Sequence, residues 1–389
     1  MAEEQDDKRT AGWLPLTHLS SRGDAAFKET LERALSRTGR VDRFTHGFHT
    51  YPAGLHPDAA VDLLELMPPG PIHDPFCGGG TTLVEAMLQG RDASGTDISP
   101  VAVALAHGRT RLWSPERITA FRSAARQIAK TAQHNQDFPP DEIARRVKPW
   151  YQPHVAQELE GIRQGIQQAH PDVRKALELV LSSILVKVSL RRSDTNPQRV
   201  ERERPPGTTA ILFHKKAREL GRRWEALNEA VPEGTAVPRI RQGSGLELDP
   251  PGPVAGLLTS PPYPGVYDYL EYQQLRLAWL GWDSPEIWQQ EMGSRRAFKN
   301  SPREALYNWK QDIEGWMHMV ARWLLPGGRA AIVIGDGLVD SRLIPVLKPL
   351  RQAAGQAGLR VLGSASGGRE DKGAHIVREE HILLLEKEG

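Results

Sequence analysis

The sequence predicts an α/β protein with a doubly wound, mostly parallel seven-stranded sheet and a mainly helical insertion. Short apolar strands alternate with helices over residues 71–112 and again over 238–389, and helices of this length can connect parallel strands by right-handed crossovers. Residues 114–237 show helical periodicity without a strand pattern. A run of three glycines follows the first apolar strand and opens a helix, as in doubly wound folds that bind cofactors.

The composition favours a soluble protein without disulfides or cysteine-rich metal sites. The chain has 389 residues, 25% of them charged, a net charge of +2 and one cysteine. Its N-terminus lacks the apolar core of a signal peptide, and no apolar run reaches about 18 residues. We therefore expect a cytoplasmic protein that does not contact a membrane. His46, His49 and His56 lack a regular metal-ligand spacing, so no metal site is expected.

The chain divides into four expected regions. They are an N-terminal tail and helix (1–43), the first half of the core (44–113), the helical insertion (114–237) and the second half of the core (238–389). The tail proper covers residues 1–12, and a short helix is expected over 24–38. Strands are expected within 71–76, 91–98, 237–248, 253–260, 329–337, 359–366 and 379–388. Core helices are expected over 58–67, 81–90, 99–112, 302–328 and 341–358.

The glycine run lies in the segment DPFCGGGTTLVEA, residues 74–86. Gly78 and Gly80 allow the backbone to approach a ligand closely, and the helix that follows offers free N–H groups. Asp97 ends the second strand, where a carboxylate commonly accepts the ribose hydroxyls of an adenosine cofactor. No Gly-Lys-Ser/Thr follows the glycines, so the turn is not a P-loop. The spacing predicts a nucleoside-cofactor site.

A second motif, TSPPY, ends the strand expected over 253–260. Pro261 and Pro262 cannot continue a strand, because each lacks an N–H donor and has a fixed φ. The strand therefore stops at Ser260 with unpaired carbonyls, which could form a pocket floor together with the Ser260 hydroxyl and the ring of Tyr263. Asp336 ends a later strand at the same edge of the sheet and is a further candidate for a pocket role.

DPFCGGGTT, GTDIS and TSPPY together resemble the amino-group DNA methyltransferases, which use S-adenosylmethionine. The resemblance covers about residues 45–112 and 238–389, and FHTYPAGLHP (48–57) resembles the segment that these enzymes place over the methionine end of the cofactor. It implies a Rossmann-like core whose adenine contact is Ser244 or Glu247. The S-adenosylmethionine-binding residues that it implies are Tyr51, Asp74, Phe76, Cys77, Gly78, Gly80, Thr81, Thr82, Asp97, Ile98 and Ser244.

The resemblance also implies a reaction. The Ser-Pro-Pro-Tyr variant is most similar to the cytosine-N4 branch, so the expected activity is methylation of cytosine N4 in DNA, by in-line transfer to a base that leaves the helix stack. Ser260 and the Pro261 carbonyl would bind the amine, with Pro262 completing the pocket and Tyr263 stacking on the base. Adenine-N6 methylation, RNA base methylation and a nucleic-acid-binding protein with a degenerate core remain alternatives.

A basic segment in the insertion is the candidate nucleic-acid contact. Residues 187–223 contain 11 Lys or Arg and four Asp or Glu, a local excess of +7 in a chain of net charge +2. Lys187, Arg191, Arg192 and Arg199 are expected to line a groove for DNA or RNA, although a solvated helix face would have the same composition. The basic segment 292–304 is a second candidate. The insertion is the candidate target-recognition region, and a restriction endonuclease is a candidate partner; the sequence carries no signal for the oligomeric state.

Overall fold

The computed structural model describes residues 15–49, 51–52, 54–339, 342–371 and 376–389. The tail expected over residues 1–12 lies outside the described residues. Within them, no helix combines the length and the apolar character needed to cross a membrane.

The structure is built on one large sheet. The described residues form ten strands: β1 (Leu19–Gly23), β2 (Ile72–Asp74), β3 (Ala93–Asp97), β4 (Arg239–Gln242), β5 (Val254–Thr259), β6 (Leu324–Gly335), β7 (Gly337–Val339), β8 (Arg342–Ile344), β9 (Leu359–Asp371) and β10 (Ile376–Lys387). Eight of these form the sheet, in the order β1-β9-β10-β6-β5-β2-β3-β4, and β7 pairs with β8. Five adjacent strands, β6, β5, β2, β3 and β4, are parallel to one another. The strand β10 lies between β6 and β9 and is antiparallel to both. The mostly parallel sheet predicted from the sequence is confirmed.

The central strands are buried on both faces. Leu257 packs into a cluster with α-helical residues on one face, and Leu258 packs into a different cluster on the other face. Such strands consist largely of apolar residues rather than alternating ones, which is why β5 could be recognised from the sequence. The strand β1 was not predicted, because its sequence LSSRG is polar and mostly exposed at the sheet edge.

Fifteen helices accompany the sheet in the described residues. They are α1 (Ala25–Leu35), α2 (Pro57–Leu64), α3 (Thr81–Leu88), α4 (Pro100–Arg109), α5 (Pro115–Ala132), α6 (Asp141–Val147), α7 (Pro153–Gln168), α8 (Pro171–Val188), α9 (Thr208–Ala230), α10 (Tyr269–Tyr272), α11 (Gln274–Leu280), α12 (Pro285–Gln289), α13 (Arg295–Asn300), α14 (Pro302–Trp323) and α15 (Leu347–Gln356). A 3₁₀ turn spans Lys148–Trp150. The helix expected to end at Gly328 ends instead at Trp323, because Leu324 already has extended backbone and starts β6.

The helices α5–α9 pack directly on the core. Phe48 and Leu105 from the first half of the core, and Trp279 from the second half, share one buried cluster with residues of these five helices. Hydrogen bonds reinforce the packing: Trp224 Nε1 donates to the Gly108 carbonyl at 2.7 Å, and Lys216 Nζ donates to the Phe48 carbonyl at 3.1 Å.

The strand order indicates which edge of the sheet binds ligands. The chain crosses from β2 to β3 on one side and returns through β5 on the other, so the order reverses between β2 and β5. Ligands of open α/β sheets bind at the carboxyl ends of the strands at this switch point. The loops after β2, β3, β4 and β5 all open at that edge.

Candidate active site

A cleft, here called the switch-point cleft, opens where β2, β3 and β5 end. The sequence-predicted residues that line it are Tyr51, Asp74, Phe76, Cys77, Gly78, Thr81, Thr82, Asp97, Ile98, Ser244, Ser260 and Pro262. Residues distant in sequence thus meet at one site. Of the predicted cofactor-binding and catalytic residues, Gly80, Pro261 and Tyr263 are not part of its lining.

The glycine turn is shaped by its contacts with Asp97. Gly78 has a φ of +47°, and its N–H donates to Asp97 Oδ2 at 2.9 Å. Gly80, with a φ of +78°, caps α3 and packs against α4, where a Cβ atom would lie 3.0 Å from Ala106. Gly80 was expected to contact the cofactor; instead it permits close packing of the two helices behind the turn. Cys77 is a small buried side chain, and burial holds the pKa of its thiol well above the ordinary value.

Two aspartates at the cleft carry raised pKa values. Burial raises the pKa of Asp74 to about 6, against hydrogen bonds that lower it, among them one from Thr259 Oγ1 to Asp74 Oδ1 at 2.6 Å. Burial likewise raises the pKa of Asp97 to about 6, although the N–H groups of Ser99 and Gly78 donate to its carboxylate. Among the described residues that line the cleft there is no Lys, Arg or His. The cleft is therefore negatively charged at neutral pH and suited to a cationic ligand.

This charge predicts how ligand affinity depends on pH. A cationic ligand needs Asp74 and Asp97 ionised, and both carboxyls become protonated as the pH falls through about 6. We expect the affinity for S-adenosylmethionine to fall most steeply below pH 6, with a proton slope of up to about two from these two carboxyls. Calorimetric titrations between pH 5 and 8 measure it. An affinity that stays constant down to pH 5 would contradict the placement of the ligand against these carboxylates.

Ser260 stands at the wall between two cavities. It lines the switch-point cleft and also a smaller cavity, here called the adjoining pocket. The adjoining pocket is further lined by Ala34, Leu35, Arg37, Gly54, Leu55, His56, Ala59, Tyr263, Tyr267, Val333, Arg369, Glu380 and Ile382. The strand β5 ends at Thr259, so Ser260 and the two prolines follow as irregular backbone, as the motif predicted.

Tyr263 lines the adjoining pocket, and a hydrogen bond to Glu380 fixes its hydroxyl group. Its Oη donates to Glu380 Oε1 at 2.9 Å, and Arg369 Nε donates to Glu380 Oε2 at 2.6 Å. The ring is only 7% exposed and covers Gly335, where a Cβ atom would lie 2.6 Å from the ring. Burial, with the neighbouring Glu380, raises the pKa of Tyr263 well above its ordinary value. The phenol therefore stays neutral.

Five residues after the second motif complete the switch-point cleft without having been predicted. They come from the irregular segment that contains α10 to α12, and they are Tyr269, Leu270, Gln290, Glu291 and Met292. No short motif marks them, because their position depends on how this segment folds back over the cleft. Burial raises the pKa of Glu291 to about 7.

The structure places the three remaining candidates, Ser244, Glu247 and Asp336, at different positions. Ser244 lines the cleft, whereas Glu247 is not part of its lining. Asp336 lies at another cavity, where its Oδ1 accepts hydrogen bonds from the Val346 N–H at 3.0 Å and from His381 Nε2 at 3.2 Å. A role for Asp336 at the switch-point cleft is thus not supported.

One of the four predicted nucleic-acid contacts is not a surface residue. Arg191 is only 4% exposed, and its guanidinium lies over the ring of Trp150 at 5.1 Å. Lys187, Arg192 and Arg199 are exposed. A charge count along the sequence could not separate them, because Arg191 packs against Trp150, which lies in the 3₁₀ turn more than 30 residues earlier in the chain.

Comparison with known proteins identifies the core. Residues 49–137 match the family model described as an RMKL-like methyltransferase domain. The chain is 34% identical over 80 residues to the Type II methyltransferase M.MvaI of Kocuria varians. The chain contains an S-adenosylmethionine-dependent methyltransferase domain. The alignment to M.MvaI covers 19% of this chain and 18% of the relative, so the chain spans less than a fifth of the length of the curated relative it matches.

The solved structures that resemble this chain are more distant. The rRNA methyltransferase aviRa from Streptomyces viridochromogenes is 15% identical, with 91% of this chain and 96% of that chain covered and a TM-score of 0.35. TrmN from Thermus thermophilus is 12% identical, with 85% and 48% covered and a TM-score of 0.33. At these TM-scores the two structures inform neither substrate nor mechanism.

The switch-point cleft of this methyltransferase domain fits its cofactor. S-adenosylmethionine carries a sulfonium and an ammonium group, which suit a cleft lined by Asp74, Asp97 and Glu291 without a cation among the described lining residues. The phosphates of a dinucleotide would instead be repelled by these carboxylates.

Proposed function

We propose that the protein transfers a methyl group from S-adenosylmethionine to an exocyclic amine of a DNA base, specifically to cytosine N4. The observation that carries this proposal is the position of Ser260, which faces both the switch-point cleft and the adjoining pocket. A group bound in the adjoining pocket would thus meet the methyl end of a cofactor in the cleft at the motif Ser-Pro-Pro-Tyr.

The residues of the motif suit the chemistry of an amine acceptor. The lone pair of an exocyclic amine is delocalised into the base ring, and acceptors that bind the amine hydrogens favour a more tetrahedral nitrogen. The Ser260 hydroxyl oxygen and the Pro261 carbonyl would serve as these acceptors, and they need no reorganisation because the proline pair fixes the backbone. When bound, S-adenosylmethionine supplies an electrophilic methyl group on a sulfonium. Holding the amine in line with that methyl provides most of the remaining rate enhancement.

The adjoining pocket suits a flipped base. Tyr263 and Tyr267 both line it, and their ring centroids lie 6.3 Å apart. Aromatic faces offset part of the stacking that a base loses when it leaves a helix. The Glu380–Arg369 pair supplies charged groups at the same pocket, which could read the polar edge of the base.

The insertion is proposed to position the nucleic acid. Its cations Lys187, Arg192 and Arg199 follow or end α8 and are exposed, so that they could contact phosphates. Arg202 has a different role: it donates to the carbonyls of Ser189 and Arg192 at 3.3 and 3.2 Å, and so folds the basic loop against the end of α8.

Removing two exposed arginines tests this surface. Arg192→Ala combined with Arg199→Ala should weaken DNA binding and reduce the slope of log affinity against log salt concentration by about two, roughly 0.9 for each lost phosphate contact. The control replaces two exposed cations of α5, Arg126 and Lys130, with alanine. Fluorescence anisotropy at several salt concentrations measures both variants. An unchanged slope in the first variant would move the nucleic-acid contact elsewhere, with the segment 292–304 as the next candidate.

Mass spectrometry of nucleosides tests the proposed reaction. The purified protein is incubated with labelled S-adenosylmethionine and a mixture of DNA and RNA, which are then digested. N4-methyldeoxycytidine supports the proposal. N6-methyldeoxyadenosine would retain the mechanism and overturn the choice of base, and a methylated ribonucleoside alone would overturn the choice of DNA. Absence of both methylation and S-adenosylmethionine binding would favour a nucleic-acid-binding protein with a degenerate core.

A further inference from the structure

Glu291 is a buried carboxylate at the switch-point cleft that no sequence motif marks. It follows α12 and lines the cleft together with Gln290 and Met292. Its side chain is only 2% exposed, although the residue belongs to an irregular segment rather than to a helix or strand. A buried carboxylate in such a segment is costly unless its oxygens are bonded.

The two oxygens of Glu291 differ in their contacts. Oε1 accepts a hydrogen bond from the Leu270 N–H at 3.3 Å, which ties the segment to the start of α10. Oε2 is buried and accepts no hydrogen bond, and Arg296 Nη2 lies 3.7 Å away from it. The carboxylates of Asp74 and Asp97, by contrast, already receive hydrogen bonds from the protein. Of the three acids of the cleft, Glu291 is the one with a fully buried carboxylate oxygen that accepts no hydrogen bond.

The surroundings of Glu291 favour its protonated form, in spite of the ion pair with Arg296. The charged and titratable groups near it are Asp268, Arg296, Tyr51 and Tyr269, and burial raises its pKa to about 7 with a further contribution from Asp268. The guanidinium of Arg296 also lies over the ring of Trp288, 5.1 Å from the ring centroid, so Glu291 is not its only partner. A positive charge brought by a ligand would satisfy the oxygen that the protein leaves without a hydrogen bond.

We propose that Glu291 binds a positive charge of S-adenosylmethionine through Oε2, and thereby gives the cleft its preference for a cationic cofactor over an uncharged nucleoside. This rests on the proposed function only in that S-adenosylmethionine occupies the switch-point cleft. The cofactor has two cationic groups, the ammonium of its methionine moiety and the sulfonium. Both offer the same chemistry to a carboxylate, and the choice of ligands in the experiment separates them.

The experiment compares Glu291→Gln with Glu286→Gln in the full chain. Glu286 is an exposed residue of α12 and undergoes the same change away from the cleft. Calorimetry measures the affinities for S-adenosylmethionine, S-adenosylhomocysteine, which retains only the ammonium, and adenosine, which has neither charge. We expect Glu291→Gln to weaken S-adenosylmethionine binding roughly ten- to a hundredfold, as for loss of a hydrogen bond to a charged group, with adenosine and Glu286→Gln unaffected.

Each pattern of results has one meaning. Equal weakening of S-adenosylmethionine and S-adenosylhomocysteine assigns the contact to the ammonium, and weakening of S-adenosylmethionine alone assigns it to the sulfonium. Equal weakening of all three ligands, or of none, overturns the proposal, because Glu291 would then only hold the segment in place. A wild-type protein that binds no S-adenosylmethionine would instead overturn the proposed function.

The pH profile gives a second readout that a purely structural role would not change. In the wild type, affinity for S-adenosylmethionine should begin to fall as the pH drops through about 7, where Glu291 takes up a proton, before the steeper loss near 6. Glu291→Gln should lack the first step and keep the second. Thermal unfolding of both variants checks folding, and identical pH profiles in variant and wild type would contradict the proposal.

Discussion

Asp97→Ala is expected to weaken S-adenosylmethionine binding about a hundredfold, the largest single effect at the cleft. The substitution would remove the proposed ribose acceptor, and it would also leave the N–H groups of Gly78 and Ser99 without the carboxylate to which each donates at 2.9 Å. Loss of hydrogen bonds to a charged group is worth about 1.5–3 kcal/mol each. Because Gly78 belongs to the glycine turn, the backbone under the cofactor would lose its anchor at the same time.

Calorimetry on two variants and one control measures this effect. Asp97→Asn retains one oxygen acceptor, so we expect a loss of about tenfold rather than a hundredfold. Asp92→Ala, an exposed aspartate just before β3, serves as the matched control and should bind normally. Binding by Asp97→Ala within threefold of the wild type would show that the ligand does not rest on this carboxylate.

Tyr263→Ala is expected to lower the free energy of unfolding by about 3–5 kcal/mol, since a buried aromatic ring is replaced by a cavity. The ring covers Gly335, and its hydroxyl is bonded to Glu380, so the side chain supports the core as well as the adjoining pocket. Tyr263→Phe removes only the hydroxyl and leaves Glu380 with Arg369, at a cost of about 1 kcal/mol. The two variants thus separate packing from hydrogen bonding.

Urea unfolding and methyl incorporation test these expectations together. If Tyr263 stacks on the target base, Tyr263→Phe should keep most methyl transfer, while both variants that remain folded should keep their affinity for S-adenosylmethionine. A Tyr263→Ala protein as stable as the wild type would contradict the buried position. Loss of cofactor affinity in Tyr263→Phe would place the residue at the switch-point cleft instead of the adjoining pocket.

The parts of the fold that the sequence predicted are those set by local pattern. Strands such as β5 are mostly apolar because both faces are buried, and the turn at Gly78 needs a residue that tolerates positive φ. The assignment of the glycine turn and Asp97 to one cofactor site follows from the same logic, since parallel strands bring their carboxyl ends to the same edge of the sheet. The structure places ten of the eleven predicted cofactor residues at one cleft.

The features that the sequence did not predict depend on contacts between distant segments. The polar strand β1 forms because β9 offers it an edge, and neither periodicity nor composition records this. The charge of Arg191 suggested an exposed residue, but Arg191 is buried and its guanidinium lies over the ring of Trp150. Glu291 reaches the cleft only because its segment folds back over it.

The cluster shared by the insertion and the core limits how this protein could be re-engineered. Phe48, Leu105 and Trp279 are buried by the insertion helices, and Trp224 of α9 donates a hydrogen bond to Gly108 in the core. A chimera that exchanged residues 115–230 for those of a relative would expose these side chains unless the replacement reproduced the whole contact surface. Altered specificity is therefore better sought by changing exposed loop residues around Arg199 than by transplanting the insertion as a module.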